Sequence, residues 1–325
     1  MAKISVITPL YNREGIVQKT IDSVLNQTFT DWEHIIVDDG STDKSWFVIS
    51  SYAEMDSRIR VFKRHKAPQC ASTCRNIGVE YSTADLILFL DSDDLLEPHC
   101  LEQRYTYMTN NQHVDLGVFP YIREIETESN KFIRGIVHPE MRGNDFLRRF
   151  LAYDIPWQTT APVWRKHFFL SLGGFNVEFQ RYQDIELTVR ALIHKATIEI
   201  VSGYPPDYVY YTYFKSFDFD TQYNVQLNLL KYIASIISIQ ERKPMVVYLE
   251  MFLQNDYRKQ TTFANFKRTI RLISKYYNCK IISFKQMILL KSLILFQLIN
   301  SHISKRNQMV YQKHILRISM IKNNY

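Results

Sequence analysis

The run Leu86-Ile87-Leu88-Phe89-Leu90 passes without a break into Asp91, Asp93 and Asp94. Consecutive apolar residues suit a strand buried on both faces, as in parallel sheets covered by helices. Carboxylates crowded at the end of such a strand repel one another, which raises their pKa values or opens the turn unless something offsets the charge. The chain is therefore expected to build a layered sheet beneath an acidic rim.

The surrounding segments read the same way. "KISVITPLYN" is a buried strand closed by Pro9, and "GIVQKTIDSVLNQT" has helical spacing. "WEHIIVDDGSTDKS" is a strand running into acids, followed by Ser, Thr and Asp residues able to cap the next helix. "RIRVFKR" is a third strand, and "ASTCRNIGVEYS" is a helix with Ser72 or Thr73 as its cap. Pro98 suits the first turn of the helix that follows "LILFL". Strands alternating with helices predict an α/β fold with a mainly parallel sheet flanked by helices.

Ligands of such sheets bind beyond the carboxyl ends of the strands. Tyr11 and Asn12, Asp38 and Asp39, and Asp91 to Asp94 all fall there. The next hundred residues are more mixed. "WQTTAPVWRKHFFLSLGGFN" joins a strand to a short helix and a Gly-Gly break, "YQDIELTVRALIHK" is an amphipathic helix starting near Gln183, and "YVYYTYF" is a strand. Helical patterns dominate from residue 219 onward.

Charge divides the chain at the same place. The net charge is +7, yet residues 223–325 hold 17 Lys and Arg against three acids, and no acid follows Asp256. The front of the chain is acidic and the tail basic. Residues 257–325 mix these cations with Ile, Leu, Phe and Tyr, which suits an anionic membrane surface or a helical subdomain packing inward or on a second copy. No nucleic-acid motif accompanies the charge, so nucleic acid is not expected as a partner. No charge-free stretch is long enough to span a membrane. Met1-Ala2-Lys3 leads into a strand and not into a signal peptide, so a cytoplasmic location is expected, with a peripheral place on the inner membrane face left open. Cys70, Cys74, Cys100 and Cys279 lack metal-site spacing and are expected to be reduced thiols.

An Asp-x-Asp turn after a buried strand either holds a hard divalent cation or caps the next helix through Asp93 and Asp94. Asp184 at a helix start is likewise either a cap favoured by the dipole or a chemical group. Trp157 is either a sugar platform or a core residue.

"VITPLYN", "TIDSVLNQTFTDWEHIIVDDGSTDKS", "RNIGVEYSTADLILFLDSDD" and "GGFN…QDIELTVRAL" occur in order, and together they resemble glycosyltransferase family 2. The resemblance spans roughly residues 1–215. It implies an inverting nucleotide-sugar transferase (hexosyltransferase type) of GT-A fold, with a domain over residues 1–218 that has a nucleotide half at 1–100 and an acceptor half at 101–218. A basic helical region, 219–325, follows. The implied donor is a UDP-sugar, and the implied product belongs to a cell-surface polysaccharide or glycolipid. Pro9, Tyr11 and Asn12 would line the nucleotide pocket, Asp39 would read the base edge, and Arg75 would approach the nucleotide or its phosphates. Asp91 would sit near the ribose, and Asp93, with Asp91, on Mn2+ or Mg2+. Asp94, Trp157 and Gln183 would stand on the acceptor side, and Asp184 would be the catalytic base. The stretch where many relatives place a metal-binding His reads Tyr213-Phe214 instead. Two other readings stand beside this one: a catalytically impaired nucleotide- or glycan-binding relative, and a sugar nucleotidyltransferase. The latter would carry a Gly-rich phosphate loop where this chain has "TPLYNREG".

Overall fold

The computed structural model describes residues 2–127, 132–139, 145–212, 218–255 and 262–299. They fall into two compact units, Met1–Asn144 with Ile155–Lys215, and Asp145–Asp154 with Ser216–Tyr325.

The first unit is built on a seven-stranded sheet. Its strands in chain order are β1 (Ile4–Leu10), β2 (Trp32–Asp38), β3 (Ile59–Lys63), β4 (Leu86–Phe89), β6 (Leu116–Val118), β9 (Pro162–Arg165) and β10 (Ile198–Ile200). They lie side by side as β10-β6-β9-β4-β1-β2-β3. All neighbours are parallel except β9, which runs against both β4 and β6. The helices between them are α1 (Val17–Leu25), α2 (Ser45–Met55), α3 (Ala71–Tyr81), α4 (Cys100–Asn110), α6 (Lys166–Ser171) and α7 (Gln183–Ile193). A second sheet has the order β5-β11-β7-β8, from β5 (Leu95–Leu96), β7 (Tyr121–Glu126), β8 (Phe132–Val137) and β11 (Tyr208–Thr212). The predicted mainly parallel α/β architecture is therefore present.

Every residue of β1, β2 and β4 is buried, as expected of apolar-rich strands covered on both faces. The polar residues that these strands enclose pair across them: the Ser5 hydroxyl donates to Glu33 at 2.6 Å, and Thr8 meets the His34 ring at 2.9 Å. Helix α3 lies close against β1 because Gly78 has no side chain. A Cβ there would stand 2.3 Å from Ile7 Cγ2.

Two local expectations are corrected. Helix α3 starts from Cys70, and neither Ser72 nor Thr73 is its cap. The Ser72 hydroxyl is engaged far along the chain, at Gln183. Pro98 lies before α4 and not in its first turn, and its carbonyl accepts from the Thr28 N–H. All four cysteines are free thiols.

The regular structure of the second unit's described residues is helical, with α5 (Phe146–Leu151), α8 (Phe219–Ile236), α9 (Val246–Asn255), α10 (Phe263–Asn278) and α11 (Phe284–Ile299). Asp218 and Thr262 cap α8 and α10 by accepting from Thr221 N and Asn265 N. Met287, Leu290 and Ile294 bury one face of α11, while Phe284, Ile288, Leu289 and Leu295 stay exposed on the other. Inward packing thus accounts for one apolar face of this helix. Among the described residues no helix is long and apolar enough to cross a membrane.

Candidate active site

Strands β4, β1 and β2 are neighbours running in one direction, so their carboxyl ends open onto one rim. The chain leaves β1 through Tyr11 and Asn12, β2 through Asp39, and β4 through Asp91 to Asp94. Residues far apart in sequence thereby meet at one edge, which is where a parallel sheet offers a crevice.

Local bonds shape the β1 and β2 exits. Asn12 takes a left-handed conformation (φ 50°), which asparagine tolerates. Its Oδ1 accepts from Thr42 N at 2.8 Å. The Asp38 carboxylate closes its own turn by accepting from Gly40 N and Ser41 N. Asp39 is buried, and its Oδ1 accepts from Arg64 Nε at 2.5 Å. Burial raises its pKa, against the opposing pull of Arg64. Pro9 is enclosed within β1, whereas the Tyr11 ring is 46% exposed and free to stack.

The crowded carboxylates after β4 are separated by three different devices. Asp91 is ion-paired with Arg75. Asp93 lies 3.7 Å from the Arg13 guanidinium. Asp94 is buried, and its oxygens accept from Thr160 Oγ1 and Tyr211 N, both at 3.2 Å. Burial, then the charges of Asp91 and Asp93, push the Asp94 pKa well above the usual carboxylate range. Asp94 therefore fastens the β4 turn to β11. It is also not a helix cap.

Arg75 is only 2% exposed. Its guanidinium lies 5.2 Å over the Phe175 ring, and its Nε and one terminal nitrogen find no protein partner among the described residues. A buried cation with idle N–H groups is costly unless another acceptor completes it.

Asp184 occupies the first turn of α7, one residue past Gln183, and is not its cap: that place is taken by Tyr182 in a left-handed conformation (φ 59°). Asp184 is partly exposed, and its Oδ1 accepts from Ile185 N at 2.9 Å. Burial raises its pKa; the Ile185 N–H and the Arg75 charge oppose this, and Asp91 adds to it. Asp184, Asp91 and Arg75 are thus electrostatic neighbours. Tyr210 on β11 feels Asp94, Asp184 and Asp91 together, and burial with these charges raises its phenol pKa. Gln183 accepts the Ser72 hydroxyl at 2.6 Å.

Trp157 is 1% exposed and lies in the core. With Gln158, Trp164, Phe175 and Asp184 it borders a small cavity of about 10 Å³. Gln158 is also buried and donates to the Tyr208 hydroxyl at 2.6 Å.

Sequence reasoning missed Arg13, Thr160 and Tyr210. Arg13 directly follows the Tyr11-Asn12 pair, and its charge beside a carboxylate rim was the available signal. Thr160 and Tyr210 carry no such local mark. Tyr213 and Phe214 lie outside the described residues.

A mainly parallel sheet with one reversed strand, a carboxylate rim and a second small sheet defines the GT-A class. The family model described as "Glycosyl transferase family 2" matches residues 5–169, and the chain belongs to that family. It is 40% identical over 116 residues to an uncharacterized glycosyltransferase of Haemophilus influenzae, covering 35% of this chain and 45% of that protein. It is 41% identical over 124 residues to the poly(ribitol-phosphate) beta-N-acetylglucosaminyltransferase TarP of Staphylococcus aureus, covering 37% of each. The matches thus span less than half of these relatives. The crystal structure of S. aureus TarS 1-349 in complex with UDP-GlcNAc superimposes with a TM-score of 0.67 at 16% identity, over 96% of this chain and 90% of that one.

Proposed function

We propose that the chain is an inverting glycosyltransferase. It moves a sugar from a UDP-sugar to a hydroxyl acceptor during synthesis of a cell-surface polysaccharide or glycolipid. The observation that carries this is the grouping of Asp91, Arg75 and Asp184, with the exposed Tyr11 ring following the neighbouring parallel strand β1. The resemblance to TarP and to the UDP-GlcNAc complex of TarS supports the donor class.

In this mechanism Tyr11 stacks on the base, and the Asp39 turn closes around its edge. The two idle nitrogens of Arg75, Nε and Nη1, are donors for oxygens of the diphosphate sugar. Asp184 accepts the acceptor's hydroxyl proton as that oxygen bonds to the anomeric carbon. The bond from that carbon to the diphosphate breaks with inversion, and UDP leaves with the electron pair.

Asp91 and Asp93 are partly exposed carboxylates, and their hard oxygens suit Mn2+ or Mg2+. No group of three or more His, Cys, Asp or Glu converges on a metal position among the described residues. The diphosphate and water would therefore complete the coordination. When bound, the cation offsets charge on the departing diphosphate. Asp93 would hold it, and Asp91 keeps its place through its ion pair with Arg75.

Thermal unfolding with UDP and GDP, with Mn2+ or EDTA, tests this reading. UDP at about 100 times its Kd stabilises the folded chain by ~2.7 kcal/mol. The expected result is a UDP response that Mn2+ enlarges, that EDTA reduces, and that Asp93→Ala renders insensitive to Mn2+. A response to GDP alone refutes the uridine assignment. UDP binding indifferent to metal and to Asp93→Ala refutes the metal role.

For the tail, we propose an anionic membrane surface as the partner of the outer face of α11. Residues 262–299 contain seven Lys and Arg and no acid, and Phe284, Ile288, Leu289 and Leu295 are exposed among them. The protein should sediment with vesicles containing phosphatidylglycerol and not with pure phosphatidylcholine, and Phe284→Ser with Ile288→Ser should weaken this. Failure to sediment, with a dimer seen by light scattering that the same substitutions dissociate, would assign the face to a second copy.

A further inference from the structure

Helix α3 carries Ser72, Arg75 and Asn76 at spacings that place them on one face. Each reaches a distant part of the first unit. Arg75 holds Asp91 after β4. Asn76 grips one residue of the loop before α7 at both backbone groups: its Nδ2 donates to Phe175 O, and its Oδ1 accepts from Phe175 N, each at 2.9 Å. Ser72 donates to Gln183 Oε1 at 2.6 Å, at the residue preceding Asp184.

The loop between α6 and α7 joins no strand, and these bonds hold its path together with those from Cys70 Sγ to Val177 O and from Arg190 to Leu172 O. The partner site is shaped for them. Gly174 has φ +75°, and a Cβ there would lie 2.7 Å from Asn76 Oδ1. A side chain at this position would both strain the backbone and displace the clasp. The Phe175 ring is anchored on its far side, 4.9 Å from Phe89 and 5.6 Å from Phe169. The clasped residue is thus tied to the end of β4, the strand that delivers Asp91.

We infer that the Ser72–Asn76 face of α3 is a positioning brace, which sets Asp184 at its working distance from Asp91 by clasping Phe175 and Gln183. This rests on the assignment of Asp184 as the base. Asn76 is the positioning residue and acts through the loop without needing to touch donor or acceptor. Misplacing a reacting group by about 1 Å can cost roughly a hundredfold in rate.

The test compares the full chain with Asn76→Ala and Ser72→Ala. Hydrogen exchange is followed in peptides covering residues 174–184, and UDP affinity by calorimetry. Turnover is followed as UDP release from UDP-glucose, UDP-galactose and UDP-N-acetylglucosamine. The expected result for Asn76→Ala is faster exchange confined to 174–184, kcat lowered about a hundredfold, and unchanged UDP affinity. Ser72→Ala should give the same pattern at smaller size, and it decides the matter where Asn76→Ala does not fold. Unchanged exchange in 174–184, unchanged kcat, or UDP affinity falling together with kcat each overturns the brace. Wild-type protein that turns over none of the three donors counts against the proposed donor class, and the exchange result still decides the brace. Activity that survives Asp184→Asn while Asn76→Ala loses it removes the base assignment, and with it this role for the clasp.

Discussion

Asp184→Asn is expected to lower sugar transfer by roughly 10²–10⁴-fold, the usual contribution of a general base, and to leave UDP affinity unchanged. Measuring kcat and UDP binding on the same variant checks both halves. The pH profile supplies a sharper criterion. Burial raises the Asp184 pKa, and a base works only when ionised, so the acidic limb of the wild-type rate profile should lie above that of an ordinary aspartate. The variant should lack that limb.

The stability consequence has the opposite sign to the loss of activity. A carboxyl group with a raised folded-state pKa keeps its proton where the unfolded chain has lost it. Its contribution to stability is therefore greatest at low pH, and it is lost as pH rises from the unfolded value through the folded one. At neutral pH the ionised group is a burden on the fold. Asp184→Asn should accordingly melt no lower than wild type at pH 7, and its advantage should shrink as the pH falls. A group kept only for its charge in the first turn of α7 would behave otherwise, because removing that charge from a helix N-terminus costs stability. A variant that loses stability at pH 7 while retaining transfer would assign Asp184 to the helix alone.

The parts of this site legible in the sequence are those set by strand direction. Apolar-rich runs at "ISVITPL", "WEHIIVD" and "LILF" favour burial on both faces, burial requires helices, and helical crossovers require parallel strands. Once parallel, the strands deliver Tyr11, Asp39 and Asp91 to one rim without further information. What could not be read is how the acids are separated, because their partners arrive from other elements. Arg75 lies 16 residues before Asp91, and Thr160 lies 66 residues after Asp94. Local pattern treats Asp93 and Asp94 alike, yet one stays at the rim and the other is enclosed. Trp157 shows the same limit: an aromatic beside Gln and Thr reads equally as platform or core, and only the assembled sheet buries it. Ser72 is the converse case. Its position at a helix start resembles a cap, while its hydroxyl serves a partner 111 residues away. The second sheet was poorly marked because β5 is two residues long, and its pairing with β11 depends on the fold being already formed.

The largest loss of stability is expected at a pair that took no part in the sequence reading. Arg104 on α4 and Asp207 before β11 are both 0% exposed and meet in a two-pronged ion pair, Nε to Oδ2 and Nη2 to Oδ1, each at 2.7 Å. The remaining terminal nitrogen of Arg104 donates to Thr160 O at 2.9 Å. Its guanidinium lies between 5.2 and 5.6 Å from the Phe119 and Tyr208 rings. Breaking a buried pair from one side leaves the other charge stranded, which costs about 3–5 kcal/mol. Asp207→Ala should therefore lower the urea midpoint strongly. All four tryptophans (Trp32, Trp46, Trp157 and Trp164) lie in the first unit, so their fluorescence reports this transition directly. Replacing both partners together, as Arg104→Met with Asp207→Leu, should recover much of the loss, since no charge is then stranded. The repaired chain should still transfer sugar less well than wild type. Arg104 also holds Thr160, Thr160 holds Asp94, and Asp94 fixes β11 where Tyr210 faces the acids. Stability that returns without activity would show that this pair is kept for the geometry it imposes on the rim. Full return of both would show that apolar packing at this place serves equally well.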